Sequence, residues 1–226
     1  MNLTIGASVI PAILGVDPWK TAQQLYDERV SGKPFEGNEH TRRGNHLEPG
    51  LCAWYLDVAQ ARDVVADVAE RLNTTFDSKR QVRIQHPNGW AHATPDLVVD
   101  VVPINGSWLG KTWLVVDVKC PSSSSRRVAG RGWVKVWDEG EQLAPLNYRA
   151  QVLWQIHVAR AAGIPVAGGE LAAGPLFGKL HRIFVAPDAE WFELAMARAT
   201  EFRECLRLGR PLPPHFTNTT TETAEP

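Results

Sequence analysis

The chain is poor in the residues that build zinc and iron–sulfur sites. Its 226 residues include only 3 cysteines, Cys52, Cys120 and Cys205, which are too far apart for a zinc-binding spacing. An iron–sulfur cluster is held by four thiolates, so a set of three excludes one within this chain. The 7 histidines are scattered and form no H-x-x-x-H pair. An odd number of separated cysteines predicts reduced thiols, as in cytoplasmic proteins.

Long apolar runs and a strong net charge are also missing. No hydrophobic stretch reaches membrane-spanning length, so no membrane contact is predicted. The N-terminal segment lacks both the basic start and the cleavage-type end of a signal peptide, which again favours a cytoplasmic location. The formal net charge is −1, so no overall field attracts DNA, and any nucleic-acid site must be a local basic patch.

Length and composition predict one globular domain over residues 1–216. The hydrophobic fraction is 44% and the charged fraction is 22%, which are typical of a soluble domain. After Phe216 the sequence is polar and has no apolar anchor, so residues 217–226 are predicted to form a disordered tail. The class indicated is mixed α/β (α+β), with a small sheet flanked by helices.

Local patterns predict the elements of this domain. Ser8 is placed to cap a short helix over Val9–Leu14, and Thr21 opens a capping box before a helix that ends near Val30. Further helices are predicted over 38–58, 145–162 and 187–208, and strands over 79–85, 97–102, 113–119, 166–171 and 180–185. Pro49 should kink or interrupt the helix over 38–58. Leu146 and Leu194 are assigned to the inward faces of their helices.

The strand over 113–119 ends in Asp117-Val118-Lys119. Side chains two residues apart on a strand face the same side, so Asp117 and Lys119 should point together. Unpaired charge is costly inside a core, and two charges at adjacent positions of one face therefore need a reason. One reason is a structural ion pair at the end of a strand. The other is a catalytic centre.

Asp96 provides a second carboxylate near the same place. It follows Pro95 at the start of a predicted strand, and Asn105-Gly106 is a strong hairpin-turn signal between the two strands. Paired strands bring Asp96 and Asp117 within about 5 Å, where two carboxylates repel by roughly 3 kcal/mol at an effective dielectric of 20. A hard divalent cation removes this repulsion. Mg²⁺ suits such a site, with Mn²⁺ as the expected substitute. The alternative is that Asp96 only begins its strand.

Two further polar residues are candidates for the same centre. Glu48 follows Gly44-Asn45-His46-Leu47, and Gln151 lies beside the apolar stripe of the helix over 145–162. Glu48 could hold a second metal ion or orient a water molecule, while Lys119 could hold or deprotonate that water. Taken alone, Glu48 also fits a solvated helix carboxylate, and Gln151 fits an amide at the flank of a helix.

A basic segment follows the acidic strand. Between residues 119 and 137 there are 5 positive residues and no acid: Lys119, Arg126, Arg127, Arg131 and Lys135. Serines and glycines predict that the segment is flexible, and Trp133 and Trp137 could stack on bases or anchor it to the core. A solvated basic loop is the alternative. Its place directly after the acidic strand favours contact with DNA.

In this order the motifs resemble a known family. They are Ile5-Gly6-Ala7-Ser8, Gly44 to Glu48, Thr94-Pro95-Asp96, Asp117 to Pro121, and Tyr148-x-x-Gln151. The series is similar to the YqaJ-type viral recombinase nucleases, a group of the PD-(D/E)xK superfamily that includes phage lambda exonuclease. The resemblance covers about Ile5 to Ala162. PD…D-x-K alone is weakly specific, but five motifs in order are strongly specific.

The resemblance implies a restriction-endonuclease-like core and a set of site roles. Asp96, Asp117 and the Val118 carbonyl are implied to bind Mg²⁺, and Glu48 to serve a second ion or the water. Lys119 is implied to be catalytic and Gln151 to position the site. Ser8 matches the serine that holds a 5′-phosphate.

The resemblance also implies an activity and partners. Its members degrade linear double-stranded DNA from 5′ ends and leave 3′ overhangs for a single-strand annealing protein. Lambda exonuclease threads DNA through a homotrimeric ring, which implies a trimer here. The source implied is a phage or prophage acting in bacterial cytoplasm during recombination.

One departure concerns the DNA end. The family usually has an arginine shortly before the I-G-A-S segment, and none precedes Ser8 here. Lys20 or Arg43 is a candidate substitute. Two other functions fit the residues: a restriction- or repair-type endonuclease on the same fold, and a DNA-end-binding module without chemistry. Asp117, where Glu is commoner, stays within the superfamily pattern.

Overall fold

The structure is a computed structural model. It describes residues 3–33, 37–101, 113–120, 144–174 and 179–217, together with the backbone of two strands over 125–128 and 132–135. The strands are β1 (Ile5–Gly6), β2 (Arg62–Asp63), β3 (Ile84–Gln85), β4 (Ala91–Ala93), β5 (Leu97–Asp100), β6 (Trp113–Lys119), β7 (Ser125–Val128), β8 (Gly132–Lys135), β9 (Val166–Ala173) and β10 (His181–Val185). The helices are α1 (Ile10–Ile13), α2 (Ala22–Ser31), α3 (Glu39–Ala59), α4 (Val65–Arg71), α5 (Leu146–Ala161), α6 (Ala189–Leu208) and α7 (Pro214–Thr217), and a 3₁₀ turn over Ala7–Val9 precedes α1.

The centre of the fold is a mixed five-stranded sheet in the order β10-β9-β6-β5-β2. β9 runs parallel to β6, and the other neighbours are antiparallel. α5 packs on one face of the sheet and α3 on the other. Alternate residues of β6 enter the two cores: Val115 belongs to the cluster that includes Trp154 of α5, and Val116 to the cluster that includes Tyr55 of α3. The predicted α/β class with helices flanking a small mixed sheet is confirmed.

Several predicted element ends are correct because the local signals are strong. β6 covers the predicted residues, since its apolar run leaves no other element. The Thr21 capping box is present: Thr21 Oγ1 accepts from the Gln24 backbone, and Gln24 Oε1 accepts from the Thr21 backbone. The interruption that the sequence allowed at Pro49 does not occur, because α3 continues through this residue. Proline removes one backbone hydrogen bond of a helix, and both Pro49 and the deprived residue Asn45 are exposed, so water can replace it.

Other local predictions are wrong. Ser8 does not cap a helix, because it lies inside the 3₁₀ turn; the residue before that turn is Gly6, and the residue before α1 is Val9. The strand predicted from residue 79 is only β3, because the Asp77 side chain accepts the backbone N–H groups of Lys79 and Gln81 and closes a turn.

Two leucines assigned to helix interiors face solvent. Leu146 is 63% exposed at the first position of α5, and Leu194 is 58% exposed. The buried stripe of α6 runs through Ala195, Ala199 and Phe202, which leaves Leu194 beside it rather than within it.

The basic segment contains regular backbone, contrary to the predicted flexible loop. β7 and β8 pair as an antiparallel hairpin, with Arg126 opposite Val134 and Arg127 opposite Trp133. Backbone pairing outweighs the serine and glycine content there. The predicted turn at Asn105-Gly106, Arg131, Trp137 and the tail after residue 217 lie outside the described residues.

α5 lies unusually close to the sheet at Gly169 of β9. A Cβ atom at this position would stand 2.6 Å from Val152 Cγ1 of α5 and 2.9 Å from Val115 Cγ2 of β6. Because Gly169 has no side chain, α5 can pack closely against β6 and β9. None of the described helices is long and apolar enough to cross a membrane.

Candidate active site

Strand pairing places Asp96 beside Asp117. Leu97 of β5 pairs with Val116 of β6, and the Asp96 backbone N–H donates to the Val116 carbonyl over 3.1 Å. Asp96 therefore continues the register to the position next to Asp117. Its own carboxylate is fixed, because Oδ2 accepts the Val118 backbone N–H over 2.6 Å.

Lys119 lies on the same side of β6 as Asp117. Its Nζ is 2.6 Å from Asp117 Oδ2. Asp117 Oδ2 is buried, and the Lys119 ammonium is close enough to donate a charge-assisted hydrogen bond to it. Burial opposes the charge of Lys119, but the carboxylates of Asp117 and Asp96 outweigh burial and hold the pKa of Lys119 above its ordinary value. Lys119 is therefore a cation at neutral pH.

The carboxylate of Asp96 is difficult to ionise. Burial, and then the charge of Asp117, raise the pKa of Asp96 to about 7, although Lys119 and the Val118 N–H favour the charged form. Two carboxylates at one site repel, so the second ionises only at higher pH. Without a cation, the site holds a proton near neutral pH.

Glu48 reaches this centre from α3 through a shared amide. Gln81 Nε2 donates to Glu48 Oε1 over 3.1 Å and to Asp96 Oδ1 over 3.0 Å. Lys79 Nζ also pairs with Glu48 Oε1 at 3.3 Å. Glu48 and Asp96 thus share one donor and are neighbours. No local pattern in the sequence identifies Gln81, because its role depends on a contact with a distant helix.

A glutamine of α5 contacts the second carboxylate. Gln155 is 3% exposed, and its Nε2 donates to Asp117 Oδ1 over 3.0 Å. Gln151 lies one turn earlier on the same helix and is half-buried, and the described contacts include no hydrogen bond from it to either aspartate. One sequence signal could have identified Gln155: it is a polar residue inside an apolar helix, directly after Trp154.

The donor set fits a hard cation. Asp117 Oδ2 is buried with Lys119 as its partner, and Gln155 Oε1 is a buried oxygen without a hydrogen-bond donor among the described residues. The Val118 carbonyl points to the same edge of β6 as the Val116 carbonyl, towards Asp96. No group of three or more His, Cys, Asp and Glu side chains in the described part of the chain is placed to hold a metal. Mg²⁺ needs only one or two carboxylates together with water and phosphate, so Asp96 and Asp117 are sufficient.

The predicted DNA contacts lie on several different elements. Ser8 is exposed on the 3₁₀ turn. Arg43 of α3 is half-buried, and its Nε is buried without a hydrogen-bond partner among the described residues. Lys20 pairs with Glu28 at 2.8 Å. Arg126, Arg127 and Lys135 belong to the β7–β8 hairpin, which follows β6 after a short connection.

Comparison with known proteins supplies the context for this geometry. Residues 2–162 match the family described as the YqaJ-like viral recombinase domain. The chain belongs to this family. The resemblance drawn from the sequence motifs is confirmed, and no curated protein is similar enough to count as a match.

The YqaJ-like chain shares its fold with solved nucleases. One is the alkaline exonuclease LHK-Exo from Laribacter hongkongensis, at 15% identity, with a TM-score of 0.59 and coverage of 92% of this chain and 90% of that one. The second is LHK-Exo in complex with dAMP, at 14% identity, with a TM-score of 0.58 and coverage of 92% and 90%. At these identities the likeness shows the fold that the chains share.

Proposed function

We propose that this protein is a magnesium-dependent exonuclease that hydrolyses phosphodiester bonds of linear double-stranded DNA. The observation that carries the proposal is the buried carboxylate of Asp117, which is paired with Lys119 and lies next to a second carboxylate, that of Asp96. A structural ion pair explains the contact with Lys119. It does not explain a second carboxylate packed next to Asp117.

The residues divide the work as follows. Asp96, Asp117 and the Val118 carbonyl would hold Mg²⁺, with Mn²⁺ as a substitute. When bound, the ion lowers the pKa of a water molecule and neutralises charge on the scissile phosphate. Gln155 fixes the Asp117 carboxylate through Oδ1, which leaves Oδ2 directed into the site. Glu48 orients the attacking water or holds a second ion.

Lys119 acts through its charge in this scheme. Its raised pKa makes it a poor acceptor of the proton of the water. As a fixed cation it can hold the water and stabilise the extra negative charge on the phosphate in the transition state. The structure therefore favours an electrostatic role for Lys119 over general-base catalysis.

The finer details of the reaction rest on the family resemblance. We infer that the strand is degraded from 5′ to 3′, which leaves 3′ single-stranded overhangs for a phage-type annealing protein. We infer a homotrimeric ring around the duplex, and action in the cytoplasm of a bacterial host. Ser8 is assigned to the 5′-phosphate, with Arg43 as its supporting cation.

The β7–β8 hairpin is the proposed contact to the DNA backbone. It follows directly after the strand that carries Asp117 and Lys119, and its segment contains the run of positive residues without an acid. A basic element beside the catalytic strand can neutralise phosphates near the scissile bond. This role supports binding, not chemistry.

The test of the proposed activity compares two DNA forms under four ion conditions. Linear 5′-phosphorylated duplex and closed circular duplex are incubated with Mg²⁺, Mn²⁺, Ca²⁺ or EDTA. We expect loss of the linear duplex with Mg²⁺ or Mn²⁺ only, and intact circles throughout. Ca²⁺ should permit binding with little cleavage, because its coordination is looser. Asp117→Asn is the inactive control.

Other results would separate the alternatives. Cleavage of circular duplex would support the restriction- or repair-type endonuclease. Full activity in EDTA would contradict the metal assignment. Binding to ends without cleavage under any condition would support the module without chemistry, which the complete set of Asp96, Asp117 and Lys119 argues against.

A further inference from the structure

A tryptophan beside the candidate active site is largely exposed to solvent. Trp19 is 71% exposed, more than the other exposed large hydrophobic residues in the described part of the chain. Its backbone N–H donates to Asp17 Oδ1 over 2.9 Å in the turn before α2, and its ring lies against the ring of Tyr148. An exposed aromatic ring is suited to contact with another flat apolar surface.

Tyr148 connects this ring to the catalytic lysine. The Lys119 Nζ lies 5.4 Å from the centre of the Tyr148 ring, and the centre of that ring lies 6.2 Å from the centre of the Trp19 ring. The two rings are tilted by 40°. A continuous path of side chains therefore runs from the ion pair of Lys119 with Asp117, across Tyr148, to solvent at Trp19.

We propose that Trp19, supported by Tyr148, is a stacking site for a nucleobase next to the scissile phosphate. The inference rests on the proposed function, because it assumes that a DNA phosphate lies at Lys119. A base is separated from its own phosphate by one sugar, which is the scale of the step from Lys119 to the aromatic pair. The expected ligand is an unpaired base of any type, since every base offers a flat face.

The test combines a protein change with a DNA change. Duplexes with an abasic nucleotide at the first, second or third position of the 5′ strand are bound in Ca²⁺, without cleavage. Trp19→Ala should weaken binding of the intact duplex roughly 5- to 100-fold. At one abasic position, the affinity of wild type should fall by a similar factor. The affinity of Trp19→Ala, already lowered, should fall little further at that position. Trp19→Phe should retain most of the affinity.

The control is Phe184→Ala, because Phe184 is another exposed aromatic, at 42%, on β10. It should bind every duplex as wild type does. Unchanged thermal melting of Trp19→Ala would exclude a folding effect. If Trp19→Ala lowered the affinity equally at every abasic position, the stacking site would be overturned. A change of oligomeric state in Trp19→Ala, without dependence on the missing base, would also overturn it, because Trp19 would then be a protein contact.

The two proposals fail in different ways. If wild type cleaves linear duplex with Mg²⁺ and Trp19→Ala binds normally, only the stacking site is wrong. If no condition gives cleavage but the loss in Trp19→Ala depends on one base, the stacking site stands and the nuclease proposal is wrong.

Discussion

Gln155 Nε2 donates a hydrogen bond of 3.0 Å to Asp117 Oδ1, and both residues are buried. The bond crosses from α5 to β6 and fixes one oxygen of the carboxylate. The other oxygen, Oδ2, is left for Lys119 and for a cation. The orientation of Asp117 therefore depends on a neutral side chain of the helix that packs against the sheet.

We expect Gln155→Ala to lower the affinity for Mg²⁺ and to reduce kcat about tenfold, with little change in KM for DNA. The loss of one hydrogen bond leaves a buried acceptor unsatisfied, which costs about 1–3 kcal/mol. Measurement of rate against Mg²⁺ concentration gives both values. Gln151→Ala, one turn away, is the matched control. If Gln151→Ala lowered Mg²⁺ affinity and kcat more than Gln155→Ala does, the positioning role would belong to Gln151.

Lys119→Ala should reduce the rate about 10²-fold or more, because it removes a cation from the transition state. Both proposed metal ligands, Asp96 and Asp117, stay in place, so affinity for DNA in Ca²⁺ should change little. Lys179→Ala, at an exposed position, is the control. Near-normal turnover of Lys119→Ala would identify Lys119 as a structural ion-pair partner.

The raised pKa of Asp96 predicts how the stability of the metal-free protein varies with pH. The folded pKa is about 7, above the ordinary value near 4, so the folded state binds more protons between these pH values. The contribution of Asp96 to stability is complete below pH 4 and is lost as the pH rises to 7. In EDTA, wild type should therefore lose more stability between pH 4 and pH 8 than Asp96→Asn does.

Chemical unfolding in EDTA at both pH values measures this difference. Mg²⁺ at pH 8 should restore stability to wild type and have less effect on Asp96→Asn, because a ligand of the folded state stabilises it. Identical pH slopes for the two proteins would show that Asp96 ionises normally.

The basic hairpin predicts a salt effect. Replacing Arg126, Arg127 and Arg131 together by alanine should flatten the slope of log affinity against log salt by roughly 0.9 for each lost phosphate contact. The affinity is measured in Ca²⁺ over a series of salt concentrations. Replacement of the exposed Arg207 and Arg210 is the control. A slope equal to that of wild type would place the hairpin away from DNA.

Ser8 predicts a preference for the DNA end. Wild type should prefer a 5′-phosphate to a 5′-hydroxyl, and Ser8→Ala should lose part of this preference. Because Ser8 caps no helix, its replacement should leave the melting temperature nearly unchanged. Cleavage rates on both duplexes, with Arg43→Ala as a second variant, give the measurement. Equal rates for wild type on the two ends would exclude the phosphate pocket.

Local sequence signals were enough to predict the central strands of the fold and the placement of two carboxylates. The apolar run of β6 has one structural solution, and pairing with β5 then places Asp96 next to Asp117. Gln155 and Gln81 were not predictable, because each is defined by a contact with a residue of another element. The Ser8 cap was wrong because a 3₁₀ turn precedes α1, and nothing in the local pattern distinguishes these two geometries. Strands of two or three residues, such as β2 and β4, are too short to show a period.

The close contact at Gly169 shows that the acidic motif alone does not make the site competent for catalysis. The presence of the motif and the competence of the site are two separate properties. A methyl group at residue 169 would meet Val152 on α5 and Val115 on β6, and it would push the helix away from the sheet. Gln155 would retreat with α5, while Asp96, Asp117 and Lys119 would remain unchanged in the sequence. A relative with all the acidic residues and a larger residue here would therefore have a weakened centre, so substitutions in β9 are a route by which evolution can attenuate this nuclease without altering its signature.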